Sequence, residues 1–194
     1  MDIGDHARWD WPARLRARGP DALATIVGPE KGRGFAVARA ALRSRVQRLE
    51  RSVYELDPAR DGRFDVVVCG SLLLHLRDPL RALQAIRSVC AGELLSTETV
   101  ELVTTLFHPR RPIARLDGLS DLCQWWLPNA AGHRRMVEAA GFDVVTATRP
   151  YSVPFGVGHP PPRVSPRMLL QRAVTGQADD GVLHAAVLAR PAVA

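Results

Sequence analysis

Residues 64–79, FDVVVCGSLLLHLRDP, constrain this chain more than any other stretch. Five residues that begin Phe64-Asp65 and end in three valines read as a buried strand, because β-branched side chains suit a pleated, half-covered surface. A small-residue turn, Cys69-Gly70-Ser71, follows, and then an apolar cluster, Leu72-Leu73-Leu74-His75. Asp78-Pro79 has the signature of a helix start: an N-cap acceptor, then a proline whose missing N–H is no loss in the first turn. Strand, small turn and helix in this order make the building unit of an open α/β sheet.

The rest of the chain supplies further units. Apolar residues at Leu80, Leu83, Ile86 and Val89 recur with helical spacing, and Gly92 is read as the end of that helix. Residues 93–100 are the next strand. A helix is expected over 129–140, strands over 142–148 and 182–189, and a helix over 167–174. Before residue 64 the spacing predicts a helix from Phe35 to about Ser44 and a strand over 46–49 with its exit turn near Val53. Pro12 can open a short helix at 14–18, and residues 22–27 are apolar without a decisive period. Residues 101–127 form a long insertion rich in Arg, Pro and Trp.

In wording and spacing, residues 51–100 resemble class I S-adenosylmethionine (SAM) methyltransferases, and the chain is similar to the tRNA wobble-uridine methyltransferase-like family. The resemblance implies an α/β, Rossmann-like fold over residues 1–194 as one domain. Its sheet would be mostly parallel, with a C-terminal antiparallel hairpin made by 142–148 and 182–189. It also implies SAM as cofactor, and the family's fourth strand is the one at residue 64. No glycine-rich loop of the form Asp-x-Gly-x-Gly-x-Gly occurs in the 194 residues. Asp2-Ile3-Gly4 is open to two readings, the loop itself or the acidic residue that grips the ribose hydroxyls at the end of the second strand. The resemblance favours the second through the segment Asp10-Trp11-Pro12. On that reading the first strand, the glycine loop and the first helix are not in this chain.

Ligands of open α/β sheets bind outside the carboxyl ends of the strands. The resemblance places an acidic residue at the position of Ser52, toward the adenine amino group. A hydroxyl can substitute there, and Val53 offers its backbone amide to the ring. Gly70, Ser71 and Leu72 would run beneath the methionine part of SAM. The family's tyrosine in the next cluster, used for a carboxylated SAM, is replaced by Leu74, which argues for ordinary SAM.

Two groups are candidate catalytic residues. His75 is either a proton acceptor near neutral pH or an anchor of the loop toward Arg77 or Asp78. Glu98, at the exit of its strand, either orients a substrate hydroxyl or amine or pairs with an arginine of the insertion. The insertion is expected to be a substrate lid. His108, Arg110 and Arg111 suit a phosphate or carboxylate, and Trp125 and Trp126 either cap the site or pack into the core.

Composition narrows the partners. The net charge is +6, but 25 of the 26 cationic residues are arginines scattered along the chain, Lys31 being the exception. A small-molecule acceptor or a tRNA is therefore expected, with methyl transfer to oxygen or nitrogen. The alternative is a catalytically inactive relative with a binding or regulatory role. No apolar run approaches the ~18 residues of a membrane span. The chain begins without a secretory pattern, and its three cysteines lack metal spacing. The expectation is a cytoplasmic protein with reduced thiols and no metal.

Overall fold

The computed structural model describes residues 4–5, 8–28, 31–119, 123–156, 158, 164–177 and 181–193. Three helices lead, α1 (Ala13–Arg16), α2 (Pro20–Val27) and α3 (Arg33–Ala41), then α4 (Pro58–Asp61) and strand β1 (Phe64–Gly70). After β1 come α5 (Pro79–Val89), β2 (Cys90–Thr99), α6 (Leu102–Phe107), β3 (Ala114–Leu116) and β4 (Trp126–Pro128). The chain closes with α7 (Ala130–Ala139), β5 (Phe142–Ala147), β6 (Tyr151–Pro154), α8 (Pro166–Thr175) and β7 (Gly181–Pro191). No helix of the described residues is long and apolar enough to cross a membrane.

The main sheet has the order β1-β2-β7-β5, and β6 continues along the same edge of β7 as β5. β1 and β2 are parallel, while β2, β5 and β6 all pair antiparallel with β7. Four strands thus share one direction and β7 runs against them, inserted as the C-terminal antiparallel element. The α/β, Rossmann-like methyltransferase architecture expected from the sequence is the one observed. A second, two-stranded sheet, β3-β4, lies within the insertion.

One face of the sheet makes the core. Cys69, Leu94, Val187 and Ala189 meet Leu83 and Ile86 of α5, Val137 of α7 and Phe142, all buried. Each fully buried leucine, isoleucine or valine contributes roughly 1.5–3 kcal/mol relative to exposure. α5 starts where its sequence says: Asp78 accepts from the Arg81 N–H at 3.0 Å, with Pro79 in the first turn. The opposite face is open beside β1, where Val66 and Val68 are 63% and 65% exposed and Leu95 is partly bare. Among the described residues the outer edge of β1 takes no strand.

Several local expectations are corrected. Residues 46–49 form no strand: apart from a lone bridge at Glu50, the chain over 44–52 is irregular, and Val53–Glu55 is a 3-10 turn. Val46 and Leu49 are exposed, so among the described residues the apolar pattern has no neighbouring strand to pack on, and β-propensity alone does not make one. Gly92 does not end α5. The helix stops at Val89 and Gly92 lies inside β2, where a Cβ would meet the Asp65 carbonyl oxygen at 2.3 Å. That close approach coincides with the register shift between Phe64 and Val66, a glycine use typical of bulged strands. Residues 22–27 prove helical, capped by Gly28 at φ 79°. The short strand β6 was not foreseen. The proline run 160–162 and Asp2 lie outside the described residues.

Candidate active site

A cavity of about 470 Å³ opens at the carboxyl end of β1. Trp9, Asp10, Ile26 and Val27 wall it on the N-terminal side, Arg51 to Tyr54 at the base, Leu72, His75 and Leu76 from the turn after β1, and Cys123 and Gln124 from the insertion. Four sequence-chosen residues therefore meet in one place: Ser52, Val53, Leu72 and His75. The volume falls within the usual range of small-molecule sites, and a largely apolar wall with a few polar groups is their usual lining. Ser52 caps the 3-10 turn by accepting from the Tyr54 N–H at 3.4 Å.

Asp10 organises this corner, a role that sequence reading missed because it used Asp10-Trp11-Pro12 only as a family marker. The Tyr54 hydroxyl donates to the Asp10 carboxylate at 2.6 Å, as does the Arg77 N–H at 2.9 Å. The Asp78 N–H donates in turn to the Tyr54 hydroxyl at 3.1 Å. Burial, with the bond to Asp10, pushes the Tyr54 phenol well above its ordinary pKa. The Asp10 carbonyl accepts from the Trp125 indole. Below it Trp11, Leu15, Leu23 and Cys123 form a small buried cluster, with Trp9 stacked on Trp11 at 5.8 Å.

His75 bonds neither Arg77 nor Asp78. Its Nδ1 contacts the Cys123 carbonyl oxygen. A carbonyl only accepts, so Nδ1 carries the proton and Nε2 is left as a basic lone pair, without a partner among the described residues. One imidazole thus ties the insertion to the turn and lines the cavity.

Glu98 lies elsewhere. It is 0% exposed and does not line the cavity. Its Oε2 accepts from the Leu73 N–H at 2.6 Å and its Oε1 from the Thr99 N–H at 2.9 Å. It pairs with no arginine of the insertion among the described residues. The carboxylate therefore fixes the turn that shapes the cavity. Gly70 makes its close approach to the Thr97 methyl, at 3.3 Å from a built Cβ. Ser71, in the left-handed region at φ 47°, turns to His184: Oγ lies 2.9 Å from Nε2, while His184 Nδ1 meets the Val182 carbonyl at 2.9 Å.

The insertion residues are divided. The Trp125 and Trp126 indole N–H groups are taken by the carbonyls of Asp10 and Arg77, and Arg77 lies over the Trp125 ring at 5.7 Å. Both tryptophans brace the insertion behind the cavity. His108 and Arg111 are exposed and offer their carbonyls to Asn129. Arg110 lines a separate pocket. The cysteines are buried and unpaired, and burial pushes the Cys69 thiol up to about 12 and the Cys123 thiol up to about 11.

Two buried groups, Glu98 on β2 and His133 on α7, give a pH test. Desolvation pushes Glu98 from an ordinary 4.5 up to about 7, against its amide hydrogen bonds. Desolvation also pushes His133, bonded through Nε2 to the Ser96 hydroxyl at 2.9 Å, from 6.5 down to about 4. The Glu98 contribution is full below pH 4.5 and lost as pH rises through about 7; the His133 contribution is full above pH 6.5 and lost as pH falls through about 4. In the wild type the two largely offset. In urea unfolding, the stability of wild type relative to Glu98→Gln is expected to fall by about 3 kcal/mol across that window. A constant difference would show that Glu98 does not titrate there.

Residues 15–93 match the family model described as Methyltransferase domain. No curated protein matches the sequence. Among solved structures the chain resembles the Burkholderia thailandensis 1,6-didemethyltoxoflavin-N1-methyltransferase, bound to 1,6-didemethyltoxoflavin and S-adenosylhomocysteine. The TM-score is 0.53 at 15% identity, over 99% of this chain and 70% of that one. It also resembles the [4+2]-cyclase SpnF, at 0.51 and 19% over 100% and 75%. A chain from the Haloferax volcanii Trm112–methyltransferase complex gives 0.52 and 13% over 100% and 81%. The fold is that of the class I SAM-dependent methyltransferases. The matched segment covers residues 15–93 of the 194, and the Burkholderia enzyme bound to S-adenosylhomocysteine shares this fold.

Proposed function

We propose that the protein transfers a methyl group from SAM to an oxygen or nitrogen nucleophile of a small molecule, using the cavity at the carboxyl end of β1. The observation that carries this reading is the convergence of Ser52, Val53, Leu72 and His75 on one 470 Å³ space. The lining fits an adenosine group: Ile26, Val27, Val53 and Leu72 offer apolar surface to a ring, and Ser52 a hydroxyl to its amino group. SAM supplies an electrophilic methyl on a sulfonium; the protein's part is alignment in a site shielded from water. His75, its Nδ1 proton held by Cys123, keeps Nε2 ready to take the proton that the acceptor sheds. Residues 101–127 act as the lid, with Cys123 and Gln124 at the cavity wall. A small acceptor is favoured over a tRNA because the cavity is narrow and the arginines do not line it, Arg8 and Arg51 apart. A fold neighbour holding a small molecule beside S-adenosylhomocysteine points the same way.

Calorimetric titration of SAM and S-adenosylhomocysteine into the full chain tests the reading. Saturable binding is expected, tightened about ten-fold by Ser52→Asp, since a carboxylate makes the stronger, charge-assisted hydrogen bond to an amino group. Absence of binding to both wild type and Ser52→Asp would favour a methyltransferase-fold protein with a non-catalytic binding role. The sealed position of Glu98, which leaves the cavity without a strand-end carboxylate, supports that second reading. Fold alone does not choose between them.

A further inference from the structure

A pocket of about 380 Å³ lies away from the cavity, between α7, the loop at 109–112 and the β5 and β7 strands. Three arginines, Arg110 and the adjacent Arg134 and Arg135, line it, with Glu138 as the acidic residue of its wall. Glu138 holds two of them side by side: Arg134 Nε donates to Oε1 at 2.9 Å, and Arg135 Nε lies 3.1 Å from Oε2. Each guanidinium spends its inner nitrogen on that carboxylate and keeps its outer N–H groups unbonded among the described residues. Arg110 has no ion-pair partner among them. The local charge is therefore +2 around a concave floor formed by Ala130, Ala131 and the backbone of 185–187.

Buried Asn129 fixes the approach of Arg110. Its Nδ2 donates to the carbonyls of His108 and Arg111 at 3.1 and 2.9 Å, setting the loop against the start of α7. Planar guanidiniums with paired outer donors match the tetrahedral oxygens of a phosphate better than a single ammonium would. The α7 N-terminus adds a modest favourable field to this charge.

We propose that this pocket binds the phosphate group of a ligand between Arg110, Arg134 and Arg135. The site stands apart from the methyl-transfer cavity and does not depend on that reading. Inorganic pyrophosphate, titrated calorimetrically into the full chain at low salt, is the first probe, and a short oligouridylate is the second. At least one is expected to bind, and Arg110→Gln combined with Arg134→Gln is expected to weaken it about ten-fold or more. Arg14→Gln combined with Arg63→Gln, an equal charge loss at two exposed arginines outside the pocket, is expected to change little. Oligouridylate binding with a steep salt dependence would identify a nucleic-acid backbone as the source of the phosphate. Binding of pyrophosphate without comparable binding of oligouridylate would identify a small phosphorylated ligand. Failure of both probes to bind would overturn the proposal, as would equal weakening by the Arg14→Gln and Arg63→Gln pair. All the changes are on exposed arginines, so unchanged far-UV circular dichroism confirms that the comparison is between folded proteins.

Discussion

Glu98→Ala is expected to destabilise the protein by about 3–5 kcal/mol, enough to unfold a marginally stable domain. The carboxylate is sealed from solvent and receives the amides of Leu73 and Thr99 at 2.6 and 2.9 Å, with those of Leu72 and Leu74 also directed at it. Alanine leaves these donors facing the core with nothing to accept from, and each buried orphan costs about 1–3 kcal/mol. Glu98→Gln is expected to cost less, because one amide oxygen still accepts, although its NH2 meets a donor. Chemical unfolding gives the ranking. A Glu98→Ala protein as stable as wild type would show that the turn after β1 holds without its anchor. Since that turn carries Leu72 and His75, a milder effect on cofactor binding is expected from Glu98→Gln even where the protein stays folded.

The second large effect is expected at Asn129. Its side chain is fully buried and makes five hydrogen bonds. Oδ1 accepts from Ile113 and Gly132 at 3.0 and 2.7 Å, the latter capping α7, and Nδ2 reaches the carbonyls of Thr104, His108 and Arg111. Asn129→Ala removes the cap, about 1 kcal/mol, and orphans backbone groups, for a total of about 3 kcal/mol. Asn129→Asp keeps the cap but sets a carboxylate against three carbonyl oxygens, so it is expected to be no better than alanine. Hydrogen exchange localises the loss: protection at Ile113 and Gly132 should fall in Asn129→Ala, whose side chain no longer accepts from them. Equal stability of Asn129→Asp and wild type would sink this account.

Gly132 shows why such a contact escapes sequence reading. A Cβ there would lie 2.3 Å from the Ile113 carbonyl oxygen, so the glycine exists for a neighbour some twenty residues away in the chain. Nothing in the local string Asn129-Ala130-Ala131-Gly132 announces that neighbour. The cap itself was legible, as were Asp78-Pro79 at the head of α5 and the apolar stripe that buries Leu83, Ile86 and Val89. The irregular 44–52 segment marks the opposite case. Its valine and leucine have strand preference, but among the described residues no strand lies beside them to make that preference count.

The candidate site divides in the same way. Leu72 and His75 were accessible to sequence because they follow β1, whose end is locally encoded, within a few residues, whereas Ser52 and Val53 came through the family resemblance, since the strand expected before them does not form. Glu98 lies buried beneath the turn that lines the cavity and does not reach the cavity itself, since period-2 alternation tells which residues share a face, not which of them a later turn will cover. Arg110 and the Arg134-Arg135 pair came together only through the Asn129-bound loop and the Glu138 bridge.

By itself, then, the sequence determined the alternation of strands and helices, the turn after residue 68 and the chemical character of the groups beside it. These are set by hydrophobic period, capping residues and glycine or proline within a few positions, all short-range effects. The counter-running β7 was expected from the family resemblance, but only the tertiary structure decided that Asp10 would bind Tyr54 and Arg77 and that Glu98 would be buried without lining the cavity. Those outcomes depend on which backbone groups and charges remain to be satisfied once distant segments pack, a condition on the whole chain that no local pattern contains.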